Sequence, residues 1–138
     1  MAHAYIYDAV RTPRGKARAD GGLAHMKPQE LVAGLVDGLQ ARGRDARDVQ
    51  ALVLGCVDQV GDQGANIALV SKLQAGVADD AYAFTLNNYC VSGLTAIGYG
   101  RWLGVNYSTD LVVAGATVDR PVAPGDEGDL GHHAALGA

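Results

Sequence analysis

The stretch from Val91 to Val105 constrains the fold of this chain more than any other. Its side chains are apolar around nearly the whole circumference of a helix, and a helix of that kind is buried rather than amphipathic. It also contains interior glycines, each of which costs a helix about 1 kcal/mol relative to alanine. Because local propensity disfavours this helix, tertiary packing must stabilise it. The stretch therefore predicts a central helix that is buried between layers of the fold.

Small residues line one face of this predicted helix, since spacings of three and four residues return to the same side. They are Gly93, Ala96, Gly100 and Gly104. This row would let another backbone come very close. The other faces carry Leu94, Ile97, Trp102 and Leu103, and the few residues left to meet water are Thr95, Tyr99 and Arg101.

Cys90 is the main candidate for chemistry. A predicted strand with Tyr82, Phe84 and Leu86 on one face runs into a polar turn, and we expect Cys90 to open the helix that follows. Free backbone N–H groups and the positive end of the macrodipole would there stabilise a thiolate. The alternative is a small, buried and inert core cysteine. Position alone leaves both interpretations open.

The rest of the chain alternates between strand and helix patterns. The predicted strands are residues 4–10, 49–57, 81–87 and 111–116, and two earlier helices are predicted at 28–42 and 66–74. The first strand is β-rich and tolerates burial on both faces. Alternation of this kind favours an α/β fold with a mostly parallel sheet and right-handed crossovers. Reactive groups in such sheets gather beyond the carboxyl ends of the strands, which is where Cys90 lies.

Composition excludes some functions. The 138 residues allow one domain, and a net charge of −4 argues against a general nucleic-acid surface. Cys56 and Cys90 show neither metal-site nor disulfide spacing, so we expect free thiols, with Cys56 pointing into the core. Neither a signal peptide nor an apolar run of membrane length is present in the sequence, which favours a reducing, cytoplasmic setting without membrane contact.

Weaker candidates are interpreted as structural. The cations of the turn at residues 11–16 are expected to face water, and the glycine loop at 61–64 matches neither nucleotide-binding fingerprint. Residues 118–138 are expected to form an exposed loop or tail that ends in the first turn of another helix. His132 and His133 could bind a metal, but without a ligand cluster nearby we expect no metal site.

Several segments together resemble the N-terminal half of the thiolase family. They are DAVRTPRGK at 8–16, LGCV at 54–57 with GANIA at 64–68, NNYCVSGL at 87–94, and DLVVAG at 110–115. Each is weak alone, but together they occur in the family's order over roughly residues 4–117. The resemblance implies a thiolase-like domain at 1–117, forming one half of an αβαβα arrangement. Residues 118–138 could then begin the family's loop domain.

The resemblance also implies a chemistry. Cys90 would attack an acyl-CoA thioester, hold the acyl group covalently, and release it in condensation or in thiolytic cleavage of a 3-oxoacyl-CoA. The backbone N–H of Cys90 would help to bind the oxyanion. Coenzyme A thioesters would be substrates, with no tightly bound cofactor, in the kind of lipid metabolism that includes β-oxidation.

The family's activating histidine, its asparagine-bearing oxyanion motif and its second catalytic cysteine belong to a C-terminal half, and Cys56 does not match that second cysteine. We therefore expect the glycine-lined helix face and one side of the sheet to be exposed and to need a partner. That partner would be a complementary C-terminal half or, in a homo-oligomer, another copy. The chain is then a fragment, a split subunit, or a degenerate copy.

Two other functions remain open at this level. A ketoacyl-synthase-type condensing enzyme also resembles thiolase in fold and places a cysteine at this helix, although the turn at 11–16 and Asn87 favour thiolase. A non-catalytic structural subunit would explain the absent acid/base residues, and it predicts an unreactive Cys90.

Overall fold

The computed structural model describes residues 3–16, 19–117 and 135–137. The strands are β1 (Ala9–Arg11), β2 (Ala51–Cys56), β3 (Tyr82–Leu86), β4 (Val112–Thr117) and β5 (Ala135–Gly137). The α-helices are α1 (Pro28–Gln40), α2 (Ile67–Gln74) and α3 (Ser92–Asn106). Short 3₁₀ turns occur at Ala46–Asp48 and Gly61–Gln63. Among these described residues, no helix is both long and apolar enough to cross a bilayer.

The strands form one mixed sheet in the order β1-β5-β4-β2-β3. β2 is an internal strand and pairs in parallel with both β3 and β4, while β5 runs antiparallel to β4 and β1. Helices α1 and α2 cover one face and α3 covers the other. The predicted α/β class, with a mostly parallel sheet and helices on both faces, is confirmed.

Helix α1 follows from local signals. Pro28 occupies its first turn, and the Glu30 carboxylate accepts a hydrogen bond of 2.7 Å from the backbone N–H of Lys27. The helix ends at Gln40, two residues before the predicted end, and Gly43 then adopts a left-handed φ of +84°. Its apolar stripe packs on β2 and α2 and forms the larger core; it consists of Leu31, Val32, Leu35, Val36 and Leu39.

The small-residue row of α3 lies against the sheet of this same chain. A Cβ placed on Gly100 would stand 3.1 Å from Val112 Cγ1, and one on Gly93 would stand 3.1 Å from Ala116 Cβ. The expectation that this face is exposed is therefore wrong, because β4 covers it. The opposite face is the open one, with Leu94 72% exposed and Trp102 42% exposed.

Strand β1 is shorter than predicted, and residues 4–10 are not buried, although their sequence would tolerate burial on both faces. Tyr5, Ile6 and Tyr7 are exposed, and they line a cleft of about 560 Å³ beside α3 and the start of β4. The reason is non-local: within the described part of the chain β1 pairs only with β5, whose three residues reach from Ala9 to Arg11. A strand pattern needs a neighbouring strand to satisfy its backbone groups.

Side-chain contacts tie the segment before β1 to the end of α1. Arg42 Nη1 lies 2.6 Å from Asp8 Oδ1, and the Arg44 guanidinium stands 5.8 Å from the Tyr7 ring centroid. The backbone N–H of Ala9, at 2.7 Å, and then Arg42 hold the pKa of Asp8 below its ordinary value. These contacts fix the chain where the sheet does not.

The end of the chain also differs from expectation. Residues 135–137 form β5 between β1 and β4 instead of a first helical turn. Small residues in sequence do not reveal that an open sheet position is available to them. His132 and His133 lie outside the described residues, as does the rest of the segment 118–134.

Candidate active site

Cys90 lies on the turn that joins β3 to α3, and its side chain is exposed. β2, β3 and β4 are parallel, so this turn stands beyond the carboxyl edge of the sheet. The alternative of a buried core cysteine is therefore wrong for Cys90. The structure places the thiol where the α/β rule expects chemistry.

Helix α3 begins later than predicted. Its first residue is Ser92 and its N-cap is Val91, so Cys90 precedes the helix instead of opening it. The N–H groups of Val91 and Ser92 already bond to Asn88 O at 3.2 Å and Tyr89 O at 3.0 Å. The amides that directly follow Cys90 are thus engaged in the turn, and fewer helix N–H groups are free near the sulfur than the sequence suggested.

The residue before Cys90 is held in a strained conformation. Tyr89 has a φ of +49°, in the left-handed region that side chains other than glycine rarely adopt. Such a residue costs about 1–3 kcal/mol and persists only where its surroundings enforce it. Its ring is largely exposed, so the enforcement comes from the backbone contacts of the turn.

Asn87 supplies one of these contacts. Its Oδ1 accepts from the backbone N–H of Tyr89 at 2.8 Å, while its Nδ2 donates to Val57 O at 2.7 Å. One amide side chain thus fixes the turn and ties it to the residue after β2. Asn88 Nδ2 adds a bond of 2.9 Å to Thr95 Oγ1 on α3.

Ser92 supplies the second contact from inside the fold. Its side chain is 2% exposed, and its Oγ accepts from the N–H of Asn88 at 2.9 Å and donates to the C=O of Tyr89 at 2.6 Å. One hydroxyl therefore bonds to both residues that precede Cys90. Each such bond contributes about 1 kcal/mol net, which is the scale of the strain it opposes.

Gly55 makes room for Ser92. A Cβ on Gly55 would lie 2.5 Å from the carbonyl carbon of Ser92, 2.6 Å from its oxygen and 2.7 Å from its Cβ. No side chain fits at those distances. The glycine in the internal strand β2 therefore lets the start of α3 pack directly on the sheet.

Cys56 is structural. It is fully buried, as expected, and its thiol lies 3.4 Å from Asp58 O and 3.5 Å from Gln63 Oε1. Burial raises the pKa of this thiol, and the nearby Asp58 carboxylate acts in the same direction. Such a group is a poor nucleophile near neutral pH.

The glycine loop after β2 forms a 3₁₀ turn at Gly61–Gln63 whose Gln63 is buried, and α2 then starts at Ile67, with Asn66 as its N-cap. Asn66 caps that helix by accepting from the N–H of Leu69 at 3.1 Å. Within the described ranges, no group of three or more His, Cys, Asp or Glu side chains could hold a metal ion.

The structure is thus that of an α/β protein with an exposed cysteine on a strained strand-to-helix turn, beyond the carboxyl ends of parallel strands. A family model described as thiolase, N-terminal domain, matches residues 4–116. The chain therefore belongs to the thiolase family, and the part it carries is the N-terminal domain.

Individual relatives agree with this assignment. The chain is 36% identical over 122 residues to a beta-ketoadipyl-CoA thiolase of Pseudomonas knackmussii, covering 87% of this chain and 30% of that protein. It is 36% identical over 125 residues to a steroid 3-ketoacyl-CoA thiolase of Mycobacterium tuberculosis, covering 90% and 30%. The crystal structure of Bacillus anthracis acetyl-CoA acetyltransferase matches with a TM-score of 0.76 at 30% identity, covering 85% of this chain and 29% of that one. The chain thus spans about 30% of the length of the proteins it matches.

Sequence reasoning found Cys90 but gave no role to Gly55, Ser92 or Tyr89. A signal existed for Gly55, because a glycine inside a strand pattern often marks a close backbone approach. The identity of the approaching residue could not be read, since Ser92 is distant in sequence. Nothing in the sequence marked Tyr89 as left-handed.

Proposed function

We propose that this chain supplies the acyl-accepting cysteine of a thiolase. The Cys90 sulfur attacks the carbonyl carbon of an acyl-CoA thioester; a new sulfur–acyl bond forms and coenzyme A leaves as its thiolate, which takes up a proton. A second acyl-CoA, as its α-carbanion, then accepts the acyl group in a condensation. In the reverse direction, coenzyme A accepts the acyl group after cleavage of a 3-oxoacyl-CoA. The observation that carries this proposal is the exposed thiol on the turn at residues 87–92 in a chain of this family.

The substrate class is proposed from the relatives. Their names include beta-ketoadipyl-CoA and steroid 3-ketoacyl-CoA thiolases, which supports a 3-oxo thioester of coenzyme A as the substrate here. The backbone N–H of Cys90 is proposed as one donor to the oxyanion that forms at the thioester carbonyl.

Activity is proposed to need a second body of protein. Among the described residues, no histidine or carboxylate hydrogen-bonds to Cys90, although the proton transfers of both half-reactions require an acid and a base. The open face of α3, with Leu94 and Trp102 exposed, is the surface proposed to meet that second body. A C-terminal half, in the same or in another chain, would provide these groups.

The test is direct acylation. The chain is incubated with acetyl-CoA, alone and with the separately expressed C-terminal half of a thiolase such as the B. anthracis acetyl-CoA acetyltransferase. Intact mass and peptide mapping then locate any added acetyl group. We expect one acetyl group on Cys90 in the presence of the second half, absent from Cys90→Ser and retained in Cys56→Ala.

An acetyl group on any other residue would contradict the assignment of Cys90. A complete lack of acylation with every thiolase C-terminal half, in mixtures that form a stable complex, would instead favour the non-catalytic structural subunit. In that case the chain would contribute an interface to the complex but no acyl-accepting cysteine.

A further inference from the structure

We propose that Ser92 is a positioning residue for Cys90, and that the lack of a side chain at Gly55 allows Ser92 to occupy its position. This inference rests on the proposed function, because it concerns how the acyl-accepting thiol is aimed. Ser92 does not touch the reacting atoms; it acts through the two residues that precede Cys90.

The first step is the double hydrogen bond of one buried hydroxyl. Ser92 Oγ bonds to the N–H of Asn88 at 2.9 Å and to the C=O of Tyr89 at 2.6 Å. Between these two atoms lies the backbone of Tyr89, whose φ of +49° is unfavourable without external support. The bonds oppose rotation of this residue toward an ordinary φ. Such a rotation would carry the Cys90 thiol away from its present direction.

The second step is the contact that holds Ser92 itself. The Ser92 backbone lies so close to Gly55 that a Cβ there would stand 2.5 Å from its carbonyl carbon. Gly55 belongs to β2, an internal strand of the sheet whose residues are all buried. The hydroxyl is therefore positioned by contact with a fully buried strand, while the thiol that it orients remains exposed.

The third step separates positioning from ordinary packing. Ser71 provides a matched control, since it is also a fully buried helical serine, and its hydroxyl has no partner among the described residues. Ser71→Ala and Ser92→Ala remove the same atom from equally buried sites. Only the second change releases the turn of Cys90.

The experiment measures Cys90 acetylation by acetyl-CoA, in the complex with the thiolase C-terminal half, for the wild type, Ser92→Ala and Ser71→Ala. We expect Ser92→Ala to lower the maximal acylation rate constant at least about tenfold, since misplacement of a reacting group by about 1 Å can cost 10²-fold. The acetyl-CoA concentration for half-maximal rate should stay unchanged, because Ser92 is buried and does not reach the substrate. Ser71→Ala should match the wild type in both quantities.

Hydrogen exchange provides an independent readout in the chain alone. The backbone amide of Asn88 should exchange faster in Ser92→Ala than in Ser71→Ala, because only the former loses the acceptor of that amide. Faster exchange with an unchanged acylation rate would overturn the proposal, since the turn would then be loosened without effect on the thiol. Unchanged exchange would overturn it as well.

If the wild type is not acetylated at all, the proposed function fails, and iodoacetamide then decides the positioning claim. Several-fold slower alkylation of Cys90 in Ser92→Ala than in Ser71→Ala would support positioning of the thiol. Equal rates in the two variants would overturn it.

Discussion

Replacement of Gly55 by alanine is the sharpest test of how the turn is held. The added methyl group would lie 2.5 to 2.7 Å from three atoms of Ser92, two of which are backbone atoms. Non-bonded carbon atoms in proteins normally stand about 3.5–4.0 Å apart. Either β2 or the start of α3 must therefore shift by about 1 Å, and no flexible side chain can absorb the displacement.

The size of the effect follows from two opposing terms. Overpacking of a well-packed core costs about 1–3 kcal/mol, and a clash with backbone belongs at the upper end of that range. Replacement of a strand glycine by alanine stabilises the folded state by about 0.5–1 kcal/mol, because the unfolded chain then has less conformational freedom. We therefore expect Gly55→Ala to lower the free energy of unfolding by about 2 kcal/mol. With a urea slope of about 1–3 kcal/mol per molar, the unfolding midpoint should fall by about 1 M.

Gly98→Ala is the matched control in the same region. Gly98 lies inside α3 on its open face, and a Cβ there would meet no atom within 4 Å. The substitution should raise the free energy of unfolding by about 1 kcal/mol through helix propensity alone. We expect the urea midpoint, measured by circular dichroism, to fall in Gly55→Ala and to rise in Gly98→Ala. That result would confirm that the contacts of the added Cβ, and not the loss of a glycine, decide the change in stability. A Gly55→Ala variant as stable as the wild type would refute the packing of Ser92 on β2.

Two further predictions concern the thiol of the core and the cap of α2. Burial raises the pKa of Cys56 in the folded state above its unfolded value near 9.0, so folding favours the neutral thiol. The contribution of this thiol to the free energy of unfolding is fully present below pH 9.0 and is lost as pH rises through the folded pKa. In urea unfolding between pH 8 and 10.5, the free energy of unfolding should therefore fall with pH less steeply in Cys56→Ala than in the wild type. Equal pH dependence in the two proteins would contradict a contribution from Cys56. Asn66→Ala removes the acceptor of the Leu69 N–H and of the Thr85 hydroxyl at 2.7 Å, and should cost about 1–2 kcal/mol in urea unfolding. Asn106→Ala, at the exposed end of α3, is its control and should change stability little.

Much of the fold was readable because its signals are local. Helix α1 needs only its stripe of apolar residues, a proline in its first turn and a glycine after its end. Helix α2 and strands β2, β3 and β4 were likewise found close to their true bounds. The position of Cys90 beyond β3 followed from the alternation of strands and helices.

The failures share a cause, since each depends on a neighbour that is remote in sequence. The pattern of residues 4–10 is that of a strand, but the length of β1 is set by the three residues of β5. The small face of α3 was recognised, yet only the packing shows that β4 covers it. The sequence does not reveal whether a given glycine is required by a turn, by a close helix contact or by neither.

The sequence by itself determined the order of the strands and α-helices from β1 to β4, the presence of a cysteine between a strand and a buried helix, and the family. Tertiary structure alone decided that this cysteine precedes the helix, that Tyr89 is left-handed, and that Ser92 rests on Gly55. The physical reason is the range of the forces involved. Helix caps and side-chain periodicity act over a few residues. The direction of the Cys90 thiol instead depends on displacements of tenths of an ångström between strands and helices that are distant in sequence.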